Sequence, residues 1–229
     1  DEDIFPPEYC EVDRVLAAKT KVDPSTGKEA SYYLIKWKGL PYSESTWEKP
    51  SDFNDDEKIQ YFHKINTPPP PHVINAQLKP SVPTKKFVKM DASPAFKNEN
   101  ELRAYQLEGM NWLTYCWYER RGSILADEMG LGKTVQSITL LWYLHNVEKI
   151  PGPFLVVAPL STIGHWQREL EEWTDLNVVV YQGNKANREL TRKYEFYFSE
   201  NGVPQPSKGF KFQVLLTTYE MILSQDWME

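Results

Sequence analysis

The segment from Ser123 to Thr134, SILADEMGLGKT, combines glycines, a lysine and a threonine at a spacing that suits phosphate binding. Gly130 and Gly132 let main-chain N–H groups approach phosphate oxygens, and a helix that starts directly afterwards turns its positive dipole end towards them. The Lys133 ammonium is predicted to reach the β- and γ-phosphates of ATP and to serve as the catalytic cation, and the Thr134 hydroxyl is predicted to ligate Mg²⁺. The spacing therefore predicts a nucleotide site.

The predicted site extends beyond these residues. In the preceding helix, Gln106 carries an amide that could recognise the donor and acceptor edge of adenine. The strict motif G-x-x-x-x-G-K-[ST] has a glycine where Asp127 stands, and the variant A-x-x-x-G-x-G-K-T fits instead. A glycine turn with a solvated lysine is the simpler alternative, and the flanking strand-like and helical patterns argue against it. The residues predicted to contact the nucleotide are Gln106, Asp127, Glu128, Met129, Gly130, Leu131, Gly132, Lys133 and Thr134.

Phosphoryl transfer in this class also needs a strand that ends in an acidic pair, which holds Mg²⁺ and positions the attacking water. The dipeptide Asp-Glu occurs at residues 1–2, 56–57 and 127–128, and it does not occur after Thr134. We therefore expect this chain alone to bind ATP without hydrolysing it.

The composition is typical of a soluble globular protein, and 229 residues suffice for one large domain or two modest ones. Because the two cysteines and four histidines are dispersed, we expect no structural metal. The longest apolar run is too short to span a bilayer, so we expect no membrane partner. Residues 1–60 carry 14 acidic and 8 basic side chains, a net charge of −6, and residues 61–229 are neutral overall. A nucleic-acid partner is therefore not excluded for the larger C-terminal part.

Four consecutive prolines, Pro68 to Pro71, mark a break in the chain because they cannot continue a helix and prefer an extended geometry. They predict an N-terminal domain over residues 8–65, a proline-rich and basic linker over 66–97, and a C-terminal domain over 98–229. The N-terminal domain is predicted to be small and α+β. Its strands are expected at 11–17, 31–37 and 45–48, with a helix following them.

The C-terminal domain is predicted to be α/β, with a parallel sheet that binds ligands at the carboxyl ends of its strands. Helices are expected at 101–119, 133–147, 161–173 and 185–198, and strands at 123–126, 154–158, 177–181 and 212–217.

Hydroxyl side chains follow two of these predicted strands. Ser161 and Thr162 open a helix, and Thr217 and Thr218 end the last strand. Hydroxyls and free N–H groups at such positions suit a phosphate of a nucleic-acid backbone. An ordinary helix cap has the same residue types, so this alternative stays open.

The segments ELRAYQLEGMNWL, ILADEMGLGKT, APLSTIGHW and TTYE occur in an order and spacing that closely resemble the first ATPase lobe of Swi/Snf-type chromatin remodellers. The segments VDRVL and YYLIKWKGLPYSESTWE resemble a chromodomain, of the second type in a tandem. The whole chain thus resembles the N-terminal part of the chromodomain–helicase–DNA-binding family.

This resemblance implies an incomplete RecA-like lobe preceded by a chromodomain with a three-stranded sheet and a C-terminal helix. It implies ATP and Mg²⁺ as ligands, double-stranded DNA and nucleosomal histones as partners, a nuclear location, and DNA translocation driven by ATP hydrolysis. The chain lacks the family's Asp-Glu-x-His segment and second lobe, so we expect a truncated product or an incomplete gene model. The alternatives are a non-catalytic chromatin-binding module and, with less support, a metabolic P-loop kinase.

Chromodomains that bind methyl-lysine use three aromatic side chains as a cage. Trp37 matches one position, Leu40 stands at a second, and Tyr9 or Cys10 stands at the third, depending on the register. We predict Trp47 to be a core residue. Tyr9 and Trp37 are therefore the candidate histone-peptide residues, and a structural or regulatory role for the domain is favoured.

Overall fold

The computed structural model describes residues 7–22, 27–77, 82–83, 85–200 and 202–224. Its strands are Val12–Val22 (β1), Glu29–Trp37 (β2), Thr46–Glu48 (β3), Phe154–Val157 (β4), Val178–Tyr181 (β5), Ser199–Glu200 (β6), Val203–Pro204 (β7) and Val214–Thr217 (β8). Its α-helices are Pro50–Phe53 (α1), Asp56–Ile65 (α2), Pro71–Gln77 (α3), Ala104–Tyr118 (α4), Lys133–Asn146 (α5), Ile163–Trp173 (α6), Lys185–Thr191 (α7) and Tyr219–Leu223 (α8).

The chain divides into two compact units. The first contains Asp1–Pro69 together with Gln182–Lys211, and the second contains Pro70–Tyr181 together with Phe212–Glu229. Residues 182–211 thus belong to the same unit as the N-terminal domain, although they lie far from it in the sequence.

The N-terminal domain is a three-stranded antiparallel sheet in the order β1-β2-β3, covered by α2. Alternate residues of the strands, such as Val15 and Ile35, point into an apolar core with Tyr33 and Phe62. The helix α2 begins after Asp55, whose carboxylate accepts a hydrogen bond from the Lys58 N–H. The predicted three-stranded sheet and C-terminal helix are confirmed; β1 is four residues longer than predicted, and α1 is an additional single turn.

The segment 182–211 begins with α7, capped by the Asn184 side chain, which accepts a hydrogen bond from the Asn187 N–H. A π-helical turn, Arg192–Phe196, follows α7 directly, and β6 and β7 then form a short hairpin. The helix predicted over 185–198 is therefore regular only to Thr191, because the chain widens into the π turn after it.

The second unit contains a parallel sheet in the order β4-β8-β5. Because β8 lies between the other two strands, all four of its residues are buried, which explains its continuous apolar run. Ile138 of α5 and Leu170 of α6 pack with Val214 and Leu216 in the core. The predicted parallel α/β architecture is confirmed, with strand boundaries that differ from the predicted ones by three residues at most.

The strand predicted at residues 123–126 is not formed. These residues are irregular, and the Ile124 side chain is 85% exposed. A strand requires a neighbour to satisfy its N–H and C=O groups, and none of the described strands lies beside this segment. The prediction was wrong because apolar composition alone does not supply that neighbour.

The predicted linker, residues 66–97, is not uniformly extended. Pro71 is the first residue of α3, a position where the missing N–H of proline costs nothing. Further along, Met90 exchanges two main-chain hydrogen bonds with the Asn111 side chain of α4, at 2.9 and 3.0 Å. Met90, near the end of this segment, is thus hydrogen-bonded to α4. Residues 78–81 and 84 of the predicted linker lie outside the described residues.

A buried lysine in the first unit predicts a pH-dependent stability. Lys211 is 4% exposed, and its Nζ donates to the Asn66 Oδ1 at 2.9 Å and to the Tyr194 carbonyl at 2.5 Å. Burial lowers its pKa from 10.5 to about 8, although Glu195 opposes the shift. Because the unfolded chain binds this proton more tightly, the free energy of unfolding should rise between pH 8 and 10, by about 2 kcal/mol from this group.

Urea unfolding of the wild type and of Lys211→Met at pH 8, 9 and 10 measures this contribution. Between pH 8 and 10 the free energy of unfolding should rise by about 2 kcal/mol less in the variant than in the wild type. An equal rise in both proteins would contradict the lowered pKa of Lys211.

Candidate nucleotide site and nucleic-acid edge

The glycine loop before α5 adopts the backbone conformation that its sequence predicts. Gly130 has φ +84° and Gly132 has φ +77°, both in the left-handed region that glycine tolerates best. A Cβ atom on Gly132 would also collide with the Gln106 side chain amide. Gly132 is the N-cap of α5, so the loop leads directly into the helix N-terminus.

Lys133 is the first residue of α5, and its side chain turns back onto the loop. Its Nζ donates to the main-chain carbonyls of Asp127 and Glu128, at 2.8 Å each. These two bonds hold the Lys133 ammonium against the loop. Thr134 is the next residue, in the first turn of α5.

Gln136 anchors the loop, a role that was not predicted from the sequence. Its side chain is fully buried, and its Nε2 donates to the Asp127 carboxylate at 3.0 Å and to the Leu131 carbonyl at 3.4 Å. Gly109 of α4 lies against it, because a Cβ there would collide with the Gln136 Oε1. An amide side chain one turn into the helix that follows a phosphate loop is the signal that could have identified it.

Gln106 of α4 reaches the loop with its side chain. It lies in the first turn of α4, where its Oε1 accepts a hydrogen bond from the Arg103 N–H at 3.0 Å. Its Nε2 donates to the Leu131 carbonyl at 3.4 Å. The structure thus brings Gln106 beside the loop, and its contact with adenine stays a prediction.

The packing of Gly109 on Gln136 predicts a large effect of Gly109→Ala. The added methyl group should displace the Gln136 amide and with it the Asp127 carboxylate, lowering stability by about 1–3 kcal/mol and ATP affinity about tenfold. Denaturant unfolding and titration with a fluorescent ATP analogue measure the two effects.

Gly164→Ala is the matched control, because Gly164 of α6 is also helical and nothing lies within 4 Å of a Cβ built there. It should be neutral or stabilising by up to about 1 kcal/mol. Equal behaviour of the two variants would contradict the anchoring role of Gln136.

The predicted DNA-contacting residues lie at one edge of the parallel sheet. The register pairs Val157 of β4 and Tyr181 of β5 with Thr217, so the three carboxyl ends coincide. Ser161 and Thr162 follow β4 in the turn Leu160–Thr162, which leads into α6.

The hydroxyls at this edge are used differently. Ser161 is exposed, and the Thr162 Oγ1 donates to the Pro159 carbonyl at 2.9 Å. Thr217 is fully buried, with its Oγ1 donating to the Tyr181 carbonyl at 2.7 Å, and Thr218 caps α8. The helix-cap alternative therefore describes Thr218, and the DNA contacts of all four residues stay predictions.

The aromatic residues of the N-terminal domain are not equally accessible. Tyr9 is half-buried in the turn Pro7–Cys10. Trp37 ends β2, packs against the core, and donates its Nε1–H to the Thr46 Oγ1 at 3.0 Å. Trp47, predicted as a core residue, is half-buried instead, because it lies on β3 with the Lys19 Nζ 3.3 Å from its ring centroid.

Within the described residues, no helix is both long and apolar enough to cross a membrane. The same residues contain no group of three or more His, Cys, Asp or Glu side chains placed to hold a metal ion.

Comparison with known protein families agrees with both domains. Residues 105–228 match the SNF2-related domain, and residues 10–65 match the Chromo (CHRromatin Organisation MOdifier) domain. The chain belongs to the SNF2-related family. The expected combination of a chromodomain with part of a RecA-like SNF2-related lobe is thereby confirmed, as is the resemblance to chromodomain–helicase–DNA-binding proteins described next.

Among its relatives, chromodomain-helicase-DNA-binding protein 6 of Homo sapiens is 46% identical over 98% of this chain and 8% of its own length. Protein 9 of Homo sapiens is 47% identical over 97% of the chain and 8% of its length, and protein 8 of Danio rerio is 45% identical over 98% and 9%. This SNF2-related chain spans less than a tenth of these curated relatives. A solved SWI2/SNF2 ATPase core from Sulfolobus solfataricus, in complex with double-stranded DNA, matches 60% of the chain and 25% of its own at 25% identity, with a TM-score of 0.46.

Proposed function

We propose that this chain is the ATP-binding part of an ATP-dependent chromatin remodeller, which couples ATP hydrolysis to DNA translocation on nucleosomes in the nucleus. The observation that carries the proposal is the loop before α5, with two left-handed glycines and Lys133 held among its carbonyls. The relatives, which are named as helicase and DNA-binding proteins with a chromodomain, support the same function.

The residues present fit a nucleoside triphosphate with Mg²⁺. A Cβ on Gly132 would collide with the Gln106 amide. Because glycine has no Cβ, the main-chain N–H groups of the loop stay accessible to an anion. Lys133 offers the positive charge, and Thr134 offers a hydroxyl for Mg²⁺. We assign Gln106, whose Nε2 donates to the Leu131 carbonyl, to the contact with adenine. The bound nucleotide supplies a phosphoanhydride whose cleavage drives movement on DNA, and this chain's residues bind and orient it.

The edge formed by the carboxyl ends of β4 and β8 is the proposed DNA-backbone surface. The exposed hydroxyl of Ser161 and the turn that leads into α6 support this role. We assign Thr162 and Thr218 to the same surface. Because Thr217 is fully buried and its side chain is bonded to the Tyr181 carbonyl, we assign it a supporting role beneath this surface.

Titration of the intact chain with a fluorescent ATP analogue, with and without Mg²⁺, tests the nucleotide site. We expect saturable binding that unlabelled ATP displaces. Failure to bind, together with measurable affinity for a methyl-lysine histone peptide that depends on Trp37 and Tyr9, would instead favour a non-catalytic chromatin-binding module.

Binding of double-stranded DNA tests the proposed edge. Ser161→Glu places a carboxylate where we assign phosphate contacts, so it should weaken binding several-fold at low salt, by about 1 kcal/mol. Ser207→Glu is the matched control, because Ser207 is also exposed in a short turn but lies outside this edge. Equal loss in both variants would place the DNA elsewhere.

A further inference from the structure

A segment of the C-terminal domain's sequence packs with the chromodomain. Residues 182–211, which we call the docking arm, leave after β5 and return before β8, yet they form one compact unit with Asp1–Pro69. Neither the phosphate loop nor the proposed DNA edge uses any residue of this arm.

The centre of the contact is a buried ion pair between Arg14 of β1 and Glu195 in the π turn of the arm. The Arg14 Nε lies 2.7 Å from the Glu195 Oε1, and the Arg14 Nη2 donates to the Oε2 at 3.1 Å. The side chains are 14% and 1% exposed. Burial lowers the pKa of Arg14, but Glu195, with smaller contributions from Tyr42, Tyr61 and Asp13, offsets this, so the pKa lies above its ordinary value. The guanidinium thus approaches both carboxylate oxygens, with one hydrogen bond from Nη2, and such contact fixes orientation as well as charge.

Tyr42 of the chromodomain completes the coordination of Glu195. Its hydroxyl donates to the Glu195 Oε1 at 3.2 Å. Burial raises the pKa of Tyr42, and the neighbouring Glu195 raises it further, so the hydroxyl keeps its proton and acts as a donor. Arg14 and Tyr42 together thus satisfy both carboxylate oxygens.

Two further polar contacts extend the interface along the arm. The Ser43 N–H donates to the Asn187 Oδ1 at 3.0 Å, near the start of the arm. The Lys211 Nζ donates to the Asn66 Oδ1 at 2.9 Å, at the end of the arm. Separation of this surface would break these contacts, and each renewed contact would require Glu195 and Lys211 to be desolvated again, which is costly for charged groups.

We propose that the docking arm is a permanent intramolecular binding partner of the chromodomain, held by Glu195. The chromodomain is then joined to the SNF2-related lobe at three places, through the linker and through both ends of the arm. The arm begins directly after β5 and ends two residues before β8. The proposal does not depend on nucleotide or DNA binding.

A cleavable connection tests the proposal in the intact chain. A protease recognition sequence inserted between Val82 and Pro83 allows the folded protein to be cut, giving one piece with the chromodomain and one with the arm. In size-exclusion chromatography at physiological salt the two pieces should elute together. Separation of the wild-type pieces under these conditions would overturn the proposal.

Variants of the same cleavable chain test the role of Glu195. Glu195→Gln should weaken association of the cut pieces at least about tenfold, because Arg14 loses a charge-assisted bidentate partner. Glu189→Gln is the matched control, since Glu189 lies on α7 of the same arm and is exposed, and it should behave as the wild type. Arg14→Lys, which keeps the charge but loses the fork geometry, should give an intermediate value. Equal association of all four proteins would remove Glu195 as the residue that holds the interface.

Discussion

The Lys133→Ala variant should lose at least about 100-fold in affinity for a non-hydrolysable ATP analogue in the presence of Mg²⁺. The Lys133 ammonium already lies among loop carbonyls, at 2.8 Å from two of them, so it is in place before a nucleotide arrives. Hydrogen bonds to charged groups contribute about 1.5–3 kcal/mol each, and two such bonds to phosphate oxygens correspond to a loss of about two orders of magnitude or more.

Fluorescence anisotropy of a labelled analogue measures this loss, and circular dichroism checks that the variant is folded. Lys185→Ala is the control, because Lys185 is exposed at the start of α7 and belongs to the other unit. It should bind the analogue like the wild type. An unchanged affinity in well-folded Lys133→Ala would falsify the assignment of the loop as the phosphate site.

Local patterns in the sequence were sufficient to predict the elements that depend on local chemistry. The apolar run at residues 212–217 predicts a strand of a parallel sheet, and β8 is that strand. Gly130 and Gly132 predict a glycine turn before a helix, and both lie in such a turn. These features depend on the intrinsic preferences of a few adjacent residues, which a single sequence contains.

Features that depend on a distant partner could not be predicted in this way. Residues 123–126 have the composition of a strand, but pairing needs a neighbour, which composition does not reveal. Glu195 resembles a solvated charge on a helix, and its actual partner, Arg14, is 181 residues away. Membership of residues 182–211 in the chromodomain unit follows from such contacts alone.

The candidate site shows the same division. Gln106 could be placed beside the loop because neighbouring segments carried a recognisable motif. Gln136 was missed because its role depends on the approach of Gly109 from another helix. Thr217 has a hydroxyl that suits phosphate on paper, but in the fold this group joins β8 to β5. Residue type therefore predicted which residues lie together better than the contacts that each side chain makes.

The Glu195→Ala variant should lose about 3–5 kcal/mol of unfolding free energy in the first unit, the usual cost of removing one partner of a buried ion pair. The loss arises mainly because Arg14, 14% exposed, keeps its charge without a carboxylate beside it. Urea unfolding, monitored by hydrogen exchange of the β1 amides, measures the loss of stability in the first unit. Glu189→Ala, an exposed position on the same arm, should change stability by no more than about 0.5 kcal/mol.

A double variant separates the free-energy cost of leaving the Arg14 charge without Glu195 from the cost of lost packing. Arg14→Met combined with Glu195→Leu removes both charges and keeps the apolar volume, so it should be more stable than Glu195→Ala alone. If the double variant were the less stable of the two, the ion pair would be contributing net stability beyond the avoidance of an unpaired Arg14. If both were as stable as the wild type, the contact between the chromodomain and the docking arm would not limit unfolding of this unit.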